Sequence, residues 1–350
     1  MKTKIIVILF LTFLVLGSCG TQSKKDFVSF PHSNEIFFDD VSIPNILAAP
    51  MDLIINNQKI IVYDAKSDWI FQVFSLSDRD FLGSVIRRGR GPHEEVEVAP
   101  YLRRVNKDSF LYQSSNSVKI ANVRYNEDEI ELFILRDYSL PPEMMDDTDF
   151  FLIDNQIFSS VTFRPSVKDF RYFNKQTNIV SGWGERFPFN SPNDLDLDPD
   201  RSIYVAKYTS VNANENRLAV VYQNLPFLRI YCTETSEILN QHQVADGGRN
   251  EEFLLNNLWE AGFITFYSRI KSTEDFIFTL YTGTDLYFED GIITDFASEI
   301  HVWDWDGNPI MKLELDRPVF SFDVTPDNKQ IIAISLADVD NLFMADIPWD

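Results

Sequence analysis

Val319-Phe-Ser-Phe-Asp-Val-Thr-Pro-Asp-Asn-Lys-Gln-Ile-Ile-Ala-Ile334 decides the architecture of this chain. Two apolar, β-branched runs flank Thr325-Pro326-Asp327-Asn328. Pro and Asp-Asn supply turn geometry and the runs supply strands, so the stretch reads as a β-hairpin. Turns of the same kind recur upstream at Asn57, Lys107, Asn155, Glu215 and Thr273, at intervals of about 50 to 60 residues. A second hairpin follows the first in most units. Examples are residues 70–85, 118–134, 227–240 and 300–315, the last with Asp306-Gly307 at its turn.

Two hairpins per period make four strands. A period of about 50 residues built from hairpins alone predicts a β-propeller of six blades. Blade starts fall near residues 51, 100, 149, 201, 261 and 318. The last blade has no room for a full fourth strand. Glu35-Ile-Phe-Phe-Asp39 reads as the strand that closes the ring by pairing with it. Closure removes the open edges on which sheets aggregate. A pair of β-sandwiches is the competing fold, and six units of one hairpin type argue against it. Helical periodicity is scarce, with residues 251–259 the one plausible short helix.

The N-terminus is a targeting segment. Lys2 and Lys4 precede a 12-residue apolar run at positions 5–16, too short for a stable span of a bilayer. Leu16-Gly17-Ser18-Cys19 then has the form of a bacterial lipobox, in which a small residue precedes a Cys that becomes lipidated. The alternative is an ordinary secretory signal with a coincidental Cys. The expected division is a signal peptide over 1–18, a lipidated tether over 19–30 and the propeller over 31–350. The expected location is the cell envelope, anchored by lipid to the outer membrane. With Cys19 lipidated, Cys232 is the one remaining thiol, and its strand-like context reads as a small core residue.

Composition narrows the partners. There are 53 acidic residues against 31 Lys and Arg, for a formal charge of −22. Nucleic acid and anionic membrane surfaces both demand a basic face, so neither is expected as a partner. A protein, peptide or glycan ligand fits better, and one propeller closes as a monomer.

The lipobox, the six-fold hairpin period, Arg88-Gly-Arg-Gly-Pro-His-Glu-Glu95 and the 300–315 hairpin together resemble a family. It is the TolB-like six-bladed β-propeller lipoproteins of gut Bacteroidetes, related in architecture to NHL-repeat propellers. The likeness covers nearly all of the chain after the signal. Its most specific element is Gly89-Arg90-Gly91-Pro92-His93-Glu94. Glu95 and Val96 stand where that family usually carries an aromatic. Surface display in such lipoproteins follows acids close to the Cys. Here Lys24 and Lys25 precede Asp26, which leaves periplasmic and surface orientations both open.

Propeller ligands sit over the central channel, on the face of the loops joining one blade's last strand to the next blade's first. Those loops are expected at 87–100, 136–149, 182–200 and 245–261, joined by an insertion at 282–296. Three of them set Arg beside Gly: Arg88 and Arg90 with His93 and Glu94, Arg186 after Trp183-Gly, and Arg249 after Gly-Gly. A ring of such arginines would bind anions; the plainer reading pairs each with a neighbouring Glu to fix its loop. Trp183 and Trp259 lie in these loops and are candidates for ligand stacking. Trp303 and Trp305 alternate on one strand face, which suits core packing.

No zinc motif is present, and His93 has no identifiable partner as a general base. Asp194, Asp196 and Asp198 alternate like a calcium loop but lack its Gly and its bidentate Glu. No cofactor is therefore expected. Two functions compete, with a subunit of an outer-membrane nutrient-uptake assembly as a third idea. One is a non-enzymatic binding or scaffold lipoprotein. The other is a calcium-dependent hydrolase or lyase with Asp194, Asp285 and Glu94 converging on the axis. An axial carboxylate cluster with an ordered metal would support the enzyme; an axis plugged by apolar side chains or Arg–Glu pairs would sink it.

Overall fold

The computed structural model describes residues 27–126, 129–161, 168–185, 206–245, 264–285 and 297–349. Among them the chain forms six sheets, each centred on four antiparallel strands; five run in the order of the chain, and the sixth takes its fourth strand from the N-terminus. It is a six-bladed β-propeller. The innermost strands are Pro50–Asn56, Arg103–Asn106, Thr148–Ile153, Lys207–Asn212, Ile264–Ser272 and Ser321–Val324. All begin within six residues of the positions read from the hairpin period. The one helical element among the described residues is the 3-10 turn Pro142–Met144.

Turn chemistry explains why the first hairpin of each blade is so legible. Asn57 and Gln58 have φ of 47° and 60°, and Asp154 and Asn155 have 50° and 61°. Two successive left-handed residues form a type I′ turn, whose twist matches that of the flanking strands. Asn and Asp tolerate that conformation better than branched residues do. Gly307, at φ 86°, does the same for the Asp306-Gly307 turn.

The core is a ring of apolar layers, each lying between two neighbouring blades. Successive side chains of a strand face opposite ways. In the first blade, Leu53, Ile55, Ile60 and Val62 pack on Ile332, Ile334 and Leu342 of the sixth. Ile54 and Ile61 face the other way, onto Phe110 and Tyr112 of the second blade. Both faces are dry, which is why Leu53-Ile-Ile55 and Ile60-Ile-Val62 are unbroken apolar runs. The many Phe residues fill these wedges edge to face, as Phe71 does against Phe110 at 5.8 Å and 87°.

The N-terminal segment is a lash over three blades. The amide of Val28 donates to Gln243 O on the fourth blade at 3.0 Å. Phe30 packs on His301 and Trp303 of the fifth blade, at 4.5 and 4.8 Å between ring centroids. Ser33–Ile36 then adds a parallel fifth strand to that blade, and Asp39–Ser42 pairs antiparallel with Asn341–Asp346 of the sixth. The ring is thus closed by an N-terminal strand on the last blade, as expected, but the segment differs. Residues 35–39 straddle two strands. Ile36 and Phe38 are 3% and 5% exposed while Phe37 between them is 69% exposed, so the chain crosses from blade to blade at Phe37.

Candidate functional site: the central channel and its loop face

Inner strands carry charges among their apolar residues, and the fold turns these toward one another. Asp52 Oδ1 accepts from Leu53 N at 2.9 Å, Ser321 Oγ at 2.6 Å and Lys271 Nζ at 2.9 Å; its Oδ2 accepts from Leu102 N at 2.7 Å. One carboxylate so joins the first, second, fifth and sixth blades. Asp323 repeats the device. It accepts from Val324 N at 2.9 Å, Ile55 N at 2.7 Å and Arg104 Nη2 at 2.9 Å. Arg103 pairs with Asp149 and also donates to Thr209 O.

Arg104 reaches furthest. Beyond Asp323 it donates to Ile55 O, Ser272 O and Val324 O at 3.2–3.3 Å, so a second-blade side chain touches three other blades. Burial pulls the Arg103 guanidinium down to about 10, against the opposing pull of Asp52 and Tyr101. It stays protonated at neutral pH. Arg103, Arg104, Lys271 and Asp323 line a cavity of about 120 Å³ with Ser210 and Ser272. Nearer the loop face, Arg269 Nη2 donates to Met51 O at 3.0 Å, beneath Phe320, Tyr101 and Tyr208.

Sequence reading did not single out this axial set. Its signal is a charge embedded in an apolar inner strand: Asp52 before Leu-Ile-Ile, Asp323 between Phe322 and Val324, and Arg269-Ile-Lys271.

The loop 89–102 holds three of the predicted site residues, Arg90, His93 and Glu94, and a fourth, Arg88, ends the strand before it. Arg88 is not paired with a Glu. It donates to Asp64 O, Ser67 O and Val96 O at 3.0–3.4 Å, tying this loop to the one between the blade's middle strands. Glu94 accepts from Gly91 N at 2.7 Å, and a Cβ on Gly89 or Gly91 would fall on its carboxylate. The Gly-x-Gly-Pro-x-Glu motif is therefore a self-contained loop built around one buried-edge carboxylate. Arg90 and His93 are exposed at its tip, His93 at φ 66°. No ion pair holds Arg90 among the described residues.

Trp183 is not a loop residue. It ends the strand Ile179–Trp183 and packs on Phe158, Phe170 and Tyr231 at 5.5–5.6 Å, so its ring serves the wedge between the third and fourth blades. Trp303 and Trp305 are core residues, as read. Cys232 differs from expectation: it ends its strand half-buried rather than in the core, and a hydrogen bond with Thr235 lowers its thiol pKa. Cys19, Arg186, Asp194, Asp196, Asp198, Arg249 and Trp259 lie outside the described residues, as do the 251–259 helix and the Asp285 side chain. The channel and the 89–102 loop are what the fold brings together. Among the described residues no group of three or more His, Cys, Asp or Glu could hold a metal ion.

Two solved structures share this architecture. A member of the DUF4221 family from Bacteroides vulgatus aligns with a TM-score of 0.55 and 12% identity, over 89% of this chain and 98% of that one. A Bacteroides fragilis protein aligns with the same score and identity, over 91% and 99%. Such identities speak for the fold alone. A search of curated proteins found no match. The sequence itself matches the model of the TolB-like 6-blade propeller-like family over residues 31–327. The chain belongs to the TolB-like six-bladed propeller family.

Proposed function

We propose that this protein is an exported, lipid-anchored binding or scaffold module that meets a protein, peptide or glycan with the loop face over its channel. The anchor rests on the Leu16-Gly-Ser-Cys19 lipobox, which points to the cell envelope. The observation that carries the binding role is the axis as its described residues form it. Asp52, Asp149 and Asp323 each hold a cation from another blade, so the axial carboxylates are committed to joining blades. A calcium-dependent hydrolase needs such carboxylates free to converge on a metal. The exposed tip at Arg90 and His93 is, by contrast, available to a partner.

The test is capture of envelope partners by the mature chain and by a variant with Arg90, Arg186 and Arg249 all replaced by Ala. Lost capture with an unchanged melting temperature supports the reading. Undiminished capture overturns it. Cys19→Ser tests the anchor separately: the protein should leave the membrane fraction.

A further inference from the structure

Among the described residues, Arg269 is the axial cation that no carboxylate answers. It exposes 7% of its surface, yet no carboxylate among the described residues pairs with it. Its Nη1 donates to Ser268 O at 2.7 Å and its Nη2 to Met51 O at 3.0 Å. Its Nε has no partner, and neither has the adjacent Ser268 Oγ, itself buried. Lys271, two residues on, has Asp52; Arg104 has Asp323; Arg103 has Asp149. A buried, unpaired guanidinium is costly, and proteins ordinarily supply a counter-charge.

The surroundings define what could supply it. Phe320, Tyr101 and Tyr208 lie 5.0, 5.8 and 5.9 Å from the guanidinium carbon. Aromatic rings over a guanidinium leave its in-plane edge as the approach for an acceptor. Burial raises the Tyr208 phenol, so that residue stays neutral and cannot be the missing anion. Met51, Tyr101, Tyr208 and Phe320 all stand at or just before the starts of inner strands. Arg269 therefore lies at the loop-face end of the channel. Tyr101 and Phe320 are half-buried, which leaves the cage reachable from that side.

We propose that Arg269, with Ser268 Oγ beside it, is a receptor for the carboxylate group of a ligand entering the channel from the loop face. A planar carboxylate can take two parallel N–H donors from the fork; a tetrahedral phosphate fits the slot between rings less well. On a protein of net charge −22 this is a local exception in sign, so binding of an anion there is selective by position. The proposal rests on the loop-face reading only for the direction of entry.

The experiment is thermal unfolding of the full mature chain in sodium acetate, sodium phosphate and sodium chloride at matched ionic strength. Wild type is compared with Arg269→Lys, which keeps the charge but loses the fork. Acetate should raise the wild-type melting temperature above chloride, and the variant should bind acetate roughly tenfold to a hundredfold more weakly. Equal responses in the two proteins, or no response in wild type, overturn the site. A larger response to phosphate than to acetate overturns the carboxylate assignment. Should Arg269→Lys not fold, Ser268→Ala decides: a weakened acetate response supports the site and an unchanged one overturns it. An acetate response lost in Arg269→Lys while the triple arginine variant still captures partners would sink the loop-tip proposal and leave this one standing.

Discussion

Lys271 Nζ lies 2.9 Å from Asp52 Oδ1, although 219 residues separate them. The same ammonium donates to Leu53 O at 2.9 Å. Both partners are buried, and the contact spans from the fifth blade to the first. The axis of this propeller is thus held by cation–carboxylate spokes, and the blades meet through polar groups inside an apolar ring.

Breaking a spoke from the acid side should be the more damaging change. Asp52→Ala strands Lys271 and three other donors and should cost about 3–5 kcal/mol. Lys271→Met leaves the carboxylate with its three neutral donors and should cost less. Denaturant unfolding of the two variants checks the order; equal losses would count against the shared-carboxylate account.

The lash should matter more than its length implies. Phe38 is buried and packs on Phe343 of the closing blade at 6.2 Å. Phe38→Ala should cost about 3–5 kcal/mol. Amide exchange should accelerate across Asn341–Asp346, the strand that Asp39–Ser42 covers. A chain starting after Ser42 bares that strand edge and should lose soluble yield.

Arg88 and Arg90 sit two residues apart and should behave oppositely. Arg88→Met removes donors to three carbonyls and should destabilise by about 1–3 kcal/mol. Arg90→Ala is an exposed change and should stay within about 0.5 kcal/mol. Melting temperatures measured side by side settle this.

Acid should loosen the joint between the fourth and fifth blades. His242 and His301 flank Trp303, at 5.8 and 6.3 Å between ring centroids. Burial holds both imidazoles below 6.5, while Asp304 pulls His242 the other way. Glu299, 3.2 Å from His301, pulls it back up; Lys312 pushes it further down, and Phe30, Tyr267 and Tyr281 pack around it. As pH falls through 6.5 the unfolded chain takes up protons at these residues before the folded one does. The stability of the neutral forms is therefore full above that pH and is lost below it, toward the folded values. Glu299 works in a lower window: its depressed value contributes stability above 4.5 that is lost as pH falls through its folded value. Replacing both histidines with Gln should flatten the fall in melting temperature between about pH 7 and about pH 5. An unchanged slope would refute the assignment.

Much of the architecture was legible locally. Asn57-Gln58 and Asp154-Asn155 announce type I′ turns, and the apolar runs beside them announce strands dry on both faces. The closing strand was legible only in part. Residues 35–39 form one continuous apolar-rich run, and nothing in them marks Phe37 as the crossing point between blades. Trp183 looked like a loop residue because its Gly neighbours suggest a turn, yet its ring has a wedge to fill.

By itself, then, the sequence determined the repeat, the six blades and the Gly-x-Gly-Pro-x-Glu loop, because turns and strand alternation depend on residues close in the chain. Only the tertiary structure decided that Asp52 answers Lys271, that Asp323 answers Arg104, and that Arg269 meets no carboxylate among the described residues. Those relations arise where six inner strands from distant parts of the chain converge on one axis. Electrostatics acts through space and burial, and a linear pattern carries neither distance across a ring nor the loss of water at its centre.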